Sequence, residues 1–188
     1  LSMDEKGILD VIKADSWMME VLWAAESLHL PDWMIGAGFV RSKVWDTLSG
    51  FEHTHGTDID LIYFDQSDVT PERDAHYAAQ LRGLLDIDWE VVNEARAHVF
   101  NRLEPFTSCE DAMAHWTETA TAVAVKIEDG NLKLIASYGI DELVNMVVWS
   151  CPKFLGGERL MRERVVAKHW LEKWPKLRIV ENDSALIA

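Results

Sequence analysis

Short apolar segments that alternate with helix-like segments place the strongest constraint on the fold of this chain. Thr70 followed by Pro71 is typical of a helix start, and Gly50 is typical of a helix end. The order strand, helix, strand, helix, strand predicts that the strands share a mixed sheet covered by helices. In chain order the five segments are "DWMIGAG", "FVRSKVWDTLSG", "IDLIYF" (59–64), "TPERDAHYAAQLRGLL" and "IDWEVVN".

The second half of the chain predicts a hairpin followed by helices. Asp129-Gly130 lies between two strand-like runs and is a strong short-range hairpin signal. Helical spacing of apolar residues predicts helices in 4–29, near 140–148 and over 156–173. With 188 residues the chain is long enough for one domain with a buried core. We therefore expect an α+β fold, in which a mixed β-sheet core flanked by helices (core 30–104) carries an additional β-hairpin and a helical C-terminal part (105–188).

Two aspartates stand at the start of an apolar strand in "GTDIDLIYFD". Strand side chains alternate between faces, so Asp58 and Asp60 point to one side and Ile59 to the other. Carboxylates held this close repel each other, and a divalent cation with hard oxygen preference, Mg²⁺ or Mn²⁺, removes that repulsion. Glu90 takes the same position in "IDWEVV", and a neighbouring strand would bring it beside the pair. Three such carboxylates fit a two-metal site, although Asp-x-Asp alone also occurs at strand ends for solubility.

A glycine-containing turn precedes the aspartate pair by about twenty residues. In "MIGAGFVRSKVWD", Gly36 and Gly38 allow close backbone approach, and a helix N-terminus follows them. Arg41, one turn into that helix, offers a planar donor fork to phosphate oxygens. The pattern matches neither a dinucleotide-binding fingerprint nor a P-loop. It predicts a phosphate site of a different kind.

The charge is unevenly distributed along the chain. The net charge is −14; residues 1–152 carry 10 basic and 27 acidic residues, whereas 153–178 carry 8 and 3. An acidic surface disfavours nucleic acid as a broad duplex partner. The basic segment 153–178 is either an amphipathic helix that offsets the acidic body or the one place that holds a polyanion. No apolar run is long enough for a membrane span, and the isolated Cys109 and Cys151 are typical of reduced thiols in a cytoplasmic protein.

Taken together, the motifs resemble the nucleotidyltransferases of the DNA polymerase β-like superfamily, whose pattern is hG[GS], a spacer, then Dh[DE]h and a later carboxylate. The closest resemblance is to the small bacterial nucleotidyltransferase family. It spans about 34–180 and is carried by "GFVRSKVWDTL", "TDIDLIYFD", "WEVVNEARAH", "TETATAVAVKI", "YGIDELVNMVV" and "WLEKWPKLR".

The resemblance implies a catalytic and metal-binding set of Asp58, Asp60 and Glu90, with Gly36, Gly38 and Arg41 binding the nucleotide. It implies an Mg²⁺- or Mn²⁺-dependent transfer of a nucleoside monophosphate from an NTP to an acceptor hydroxyl, with release of pyrophosphate. Two positions depart from the pattern. Ala37 stands where the superfamily has Gly or Ser, and Glu90 stands where Asp is more usual.

These departures keep open a nucleotide-binding protein without turnover. The acidic face leaves a further class open, an antitoxin-like protein-interaction module. Smaller signals have two interpretations each. His53 and His55 are either surface residues or transition-metal ligands, and Arg96 and His98 either contact substrate or brace the sheet. Trp45 and Trp89 are either core residues or residues that flank a base.

Overall fold

A five-stranded mixed sheet lies at the centre of the computed structural model, which describes residues 3–52, 54–56 and 58–180. The strand order is β3-β2-β1-β4-β5; β2 and β3 run parallel, and the other neighbours are antiparallel. The strands are β1 (Met34–Gly36), β2 (Asp58–Tyr63), β3 (Asp88–Asn93), β4 (Val123–Glu128) and β5 (Asn131–Ala136). The mixed sheet predicted from the strand and helix order is confirmed.

Helices cover this sheet, and a short second sheet lies near the C-terminal part. In the second sheet, β6 (Val147–Val148) pairs in parallel with β7 (Arg178–Ile179). The helices are α1 (Glu5–Lys13), α2 (Ser16–Glu26), α3 (Gly38–Ser49), α4 (Pro71–Leu84), α5 (Glu94–Asn101), α6 (Cys109–Met113), α7 (Asp141–Val144), α8 (Gly157–Ala167) and α9 (Trp170–Lys173).

The larger core lies on one face of the main sheet. Strand side chains of this face pack against α1 to α4, which bury their own apolar residues there. Because strand residues alternate between faces, the carboxylates of β2 and β3 point away from this core. The strand residues of the core face include Ile35, Ile59, Leu61, Trp89, Val91, Val123 and Val125.

The predicted hairpin extends the core sheet directly. β4 pairs with β1 through Ile35 opposite Val125, so the hairpin is continuous with the predicted core. Its turn residues Asp129 and Gly130 have φ values of 50° and 74°. Two positive φ angles in succession are the requirement of a tight hairpin turn, and they explain why Asp-Gly is favoured there.

Two elements differ from the prediction. The helix expected over 156–173 is divided into α8 and α9, because His169 has a φ of 53° and interrupts the helical hydrogen bonding. The strand expected from Thr119 begins at Val123 instead. Residues 118–121 form a turn, in which the N–H groups of Thr121 and Ala122 donate to the Glu118 carbonyl.

Trp45 and Trp89 belong to the core, so a role in flanking a base is wrong for both. Trp45 is fully buried, and its indole N–H donates to the Leu143 carbonyl at 3.0 Å. Trp89 is buried on the face opposite the carboxylates and donates to the Leu85 carbonyl.

Within the described ranges, the helices are too short or too polar to traverse a lipid bilayer.

Candidate active site

The parallel pairing of β2 and β3 brings two of the predicted acids together. Asp60 lies opposite Glu90, and Asp58 lies opposite Asp88. Neighbouring strands are about 4.8 Å apart, so Asp60 and Glu90 lie side by side on one face. Asp58 is exposed. It lies two residues before Asp60 on β2 and on the same face of the sheet.

The electrostatics of Asp60 reflect this crowding. Burial and the neighbouring charges of Glu90 and Asp58 raise the pKa of Asp60 to about 6. Arg41 opposes this effect and is outweighed. Burial and two like charges destabilise the ionised form of Asp60. A bound cation would stabilise that form.

The chemistry of this donor set fits a hard divalent cation, since carboxylate oxygens are the ligands that Mg²⁺ and Mn²⁺ prefer. In the part of the chain that the structure describes, no three His, Cys, Asp or Glu side chains stand as a ready-made metal-binding group. The structure therefore pairs Asp60 with Glu90 and leaves Asp58 at the open end of the strand. The role of the three acids as metal ligands stays a prediction.

Two cavities meet at Asp60. The first, which we call the acidic cavity, has a volume of about 300 Å³. The second, the basic cavity, has a volume of about 310 Å³. Both are lined by Ala37, Asp60 and Arg164. The acidic cavity is further lined by Ile62, Glu90, Val92, Glu94, Trp116, Thr117 and Thr121, and the basic cavity by Trp17, Gly38, Phe39, Arg41, Ser42, Thr54, His55, Gly56, Asp58, Ile59, Lys168 and Lys173.

The basic cavity contains the start of α3. Gly38 is the first residue of this helix, and the first N–H groups of a helix have no partner within it. A Cβ on Gly38 would lie 3.5 Å from Nη2 of Arg41 and 3.9 Å from Oγ of Ser42. Backbone N–H groups, a guanidinium and a hydroxyl therefore surround one point, which suits an anion.

Arg41 also has a structural role. Its guanidinium lies 4.1 Å from the ring centroid of Trp170, and its Nη1 donates to Oγ1 of Thr121 at 2.8 Å. Burial lowers the pKa of Arg41 to about 10, which leaves it charged at neutral pH. Arg41 thus joins α9 to the turn that precedes β4 and lines the basic cavity.

Gly36 lies against Trp116, and its role in binding the nucleotide stays a prediction. The described residues that line the two cavities include Gly38 and Arg41 but not Gly36. A Cβ on Gly36 would lie 2.7 Å from Cη2 of Trp116 and 3.3 Å from the Val123 carbonyl oxygen. The glycine therefore allows Trp116 to pack against the sheet and to form a wall of the acidic cavity.

Gly36→Ala should displace Trp116 and lower the free energy of unfolding by about 1–3 kcal/mol, because the added methyl group overlaps an aromatic ring. Chemical denaturation would measure this change. Gly83→Ala is the matched control, since a Cβ there meets nothing within 4 Å and alanine favours the helix. Equal stability of Gly36→Ala and the wild type would contradict the packing role.

A buried carboxylate forms an ion pair with the partly exposed Arg164 at the border of the two cavities. Glu118 is 0% exposed, and Nε of Arg164 lies 3.1 Å from its Oε1. Neither oxygen of Glu118 accepts a hydrogen bond from the residues that the structure describes. Because Arg164 lines both cavities, Glu118 holds a positive charge at their border.

His55 and Arg96 both contact neighbouring protein side chains. The ring of His55 stacks on Trp17 at 4.0 Å, and its Nε2 lies 3.3 Å from Asp15. His53 lies outside the described residues. Arg96 pairs with Asp74 and donates to the Val69 carbonyl, so it braces α4 against α5.

His98 packs against Phe106, with ring centroids 6.2 Å apart, and it does not line either cavity. The bracing interpretation therefore fits His98 as well as Arg96. Cys109 and Cys151 are both free and buried.

Several lining residues have no motif that identifies them in the sequence. Trp116 and Glu94 line the acidic cavity, and Lys168 and Lys173 line the basic one. The charge asymmetry does point to the lysines and to Arg164, because all three lie in the basic segment 153–178. This segment brings its positive charge to the site.

The chain matches a family model described as nucleotidyltransferase over residues 23–179. Among solved structures, an NMR structure whose description reads "CCA-adding enzyme head domain" is 30% identical, with a TM-score of 0.83 over 96% of this chain and 97% of that chain. No sequence of a curated protein matches the chain.

Larger proteins share the fold at lower identity. A CCA-adding enzyme in complex with ATP is 15% identical with a TM-score of 0.58, and the Thermotoga maritima CCA-adding enzyme complexed with tRNA is 16% identical with a TM-score of 0.58. The matches cover 93% and 95% of this chain but 43% of each enzyme, so this chain spans less than half of their length. The chain belongs to the nucleotidyltransferase family and has a DNA polymerase β-like fold similar to a CCA-adding enzyme head domain.

Proposed function

We propose that this protein is an Mg²⁺-dependent nucleotidyltransferase that moves a nucleoside monophosphate from an NTP to an acceptor hydroxyl. The observation that carries the proposal is the position of Asp60, which lies beside Glu90 at the border between an acidic and a basic cavity. Family membership supports nucleotidyl transfer in general, and the geometry supports the assignment of roles.

In the proposed reaction the acceptor oxygen forms a bond to the α-phosphorus of the NTP. The bond between that phosphorus and the oxygen that bridges to the β-phosphate breaks, and pyrophosphate leaves with the bonding electrons. The proton of the acceptor hydroxyl passes to Glu90 or to solvent. Such transfers depend on positioning and charge stabilisation rather than on covalent catalysis.

The basic cavity is the proposed site of the triphosphate. Lys168 and Lys173 line it together with Arg164, and the first turn of α3 offers backbone N–H groups. Phosphate oxygens are strong acceptors for such donors. The acidic body of the protein would otherwise repel a triphosphate, so the basic segment makes binding possible.

Asp58, Asp60 and Glu90 would hold the metal. A bound Mg²⁺ would supply charge neutralisation at the transferred phosphoryl group. Without a cation, Asp60 and Glu90 would repel the phosphate oxygens, since both are acidic side chains at the point where the cavities meet. We therefore expect the carboxylates to exclude phosphate when the metal is removed and to orient it when the metal is present.

Two measurements would test the proposal. Calorimetry would measure the binding of each NTP in the presence of Mg²⁺ and in the presence of EDTA, and a second assay would measure pyrophosphate release in cell extract. We expect binding of at least one NTP that needs Mg²⁺, and release of pyrophosphate with transfer of label from α-labelled NTP to a component of the extract. Binding without release would favour the nucleotide-binding protein without turnover. The absence of any metal-dependent NTP binding would favour the protein-interaction module.

A further inference from the structure

Glu94 is a buried carboxylate in the acidic cavity, and it is separate from the proposed metal-binding acids. It is 5% exposed, lies at the start of α5 and lines the cavity. Its side chain has no hydrogen bond to any residue that the structure describes, and the nearby Arg96 is already paired with Asp74. Burial raises the pKa of Glu94 to about 7. A buried carboxylate whose neighbouring cation is engaged by another acid is costly, and a donor from outside the protein would stabilise it.

Beyond Glu90, the lining of the cavity combines apolar and polar side chains. Ile62 and Val92 form its floor on β2 and β3, and Trp116 forms a side wall. Thr117 and Thr121 add hydroxyl-bearing side chains to the lining. A volume of about 300 Å³ with apolar walls and a few placed polar groups is typical of a small-molecule site.

The direction of attack places the acceptor in this cavity. Attacking and leaving oxygens lie roughly in line across the transferred phosphorus. If the triphosphate occupies the basic cavity, pyrophosphate leaves on that side of Asp60, and the acceptor approaches from the opposite side. The opposite side is the acidic cavity, where Glu90 lies.

We infer that the acidic cavity is the acceptor subsite and that its acceptor is a small molecule carrying both a hydroxyl and a cationic amine. This inference rests on the proposed function. The hydroxyl lies at Glu90 and Asp60, and the ammonium group donates to the Glu94 carboxylate. An RNA end is disfavoured, because its phosphates would enter a cavity in which three carboxylates outnumber the one cation, Arg164.

Binding of matched probe pairs to the full chain tests the inference without requiring turnover. The pairs are glucosamine with glucose and aminopentanol with pentanediol, titrated by NMR in the presence of Mg²⁺. At least one amine should bind about tenfold more tightly than its neutral partner, as a charge-assisted hydrogen bond to a buried carboxylate requires. Glu94→Gln should remove this preference, because the amide keeps the shape of the side chain and loses its charge.

Glu72→Gln is the matched control, since Glu72 is exposed in the first turn of α4 and lines neither cavity. It should leave the amine preference unchanged. No amine preference in the wild type, or a preference that survives in Glu94→Gln, would overturn the inference. If Glu94→Gln changed the NTP affinity instead, the cavity would hold the nucleobase and the inference would be wrong. Transfer to an RNA end that Glu94→Gln leaves unaffected would also overturn the inference.

The outcome is separable from that of the proposed function. NTP binding is measured on the same variants by calorimetry. A Glu94-dependent amine preference without metal-dependent NTP binding would retain the small-molecule site and reject the transferase proposal.

Discussion

Asp60→Asn should lower the rate of nucleotidyl transfer by about 10³-fold or more, equivalent to about 4 kcal/mol of transition-state stabilisation. Asp60 lines both cavities and lies opposite Glu90, so its carboxylate is the one best placed to act on the transferred phosphoryl group. The amide has nearly the same shape, but it has lost the charge that a metal requires. Transfer of label from α-labelled NTP in cell extract would measure the effect.

The fold should tolerate this change. Asn removes one of three neighbouring carboxylates, Asp58, Asp60 and Glu90, so the free energy of unfolding without metal should be unchanged or higher. Asp86→Asn is the matched control, because Asp86 is exposed, precedes β3 and lines neither cavity. A metal-dependent rate close to that of the wild type in Asp60→Asn would reject the assignment of the active site.

The sheet and the Asp60–Glu90 pair follow from local patterns in the sequence. Alternation in "DIDLIYF" and "IDWEVV" separates carboxylates from apolar residues, and a strand–helix–strand unit makes the two strands parallel. The structure has this pairing, with Asp60 opposite Glu90. Such features depend on residues within about thirty positions of one another, and simple periodicity is therefore sufficient to predict them.

The walls of the cavities could not be predicted in this way. Trp116 reaches the site because Gly36, eighty residues earlier, leaves space for its ring. Lys173 lines the basic cavity from beyond His169, a non-glycine residue with a positive φ that no local signal marks. Contacts of this kind depend on long-range packing, which has no period in the sequence.

Glu118 illustrates the same limit. The alternation in "TETATAVAV" predicts a strand from Thr119, but the chain forms a turn at 118–121 and buries the acid. Its ion-pair partner Arg164 lies in α8, 46 residues later in the sequence. The turn places the carboxylate against that guanidinium, a contact that the β preference of the Thr-rich segment does not indicate.

Arg164→Met should reduce both turnover and stability. Turnover should fall by about 10²-fold, because Arg164 is the cation at the border of the two cavities, where charge develops during transfer. The free energy of unfolding should fall by about 1–3 kcal/mol, because Glu118 is fully buried and loses its ion-pair partner, while the charge of Arg41 still acts on it. Label transfer and chemical denaturation would measure the two effects separately.

The double variant Arg164→Met with Glu118→Gln separates the two roles of the arginine. Replacing the unpaired carboxylate by a neutral amide should restore most of the lost stability, whereas turnover should stay low because the cation is still missing. Arg159→Met is the control on the same helix; its pair with Glu163 is exposed and contributes about 0.5 kcal/mol or less. If the double variant regained turnover, Arg164 would act only through the fold. If it stayed as unstable as the single variant, the cost would come from lost packing and not from the buried charge of Glu118.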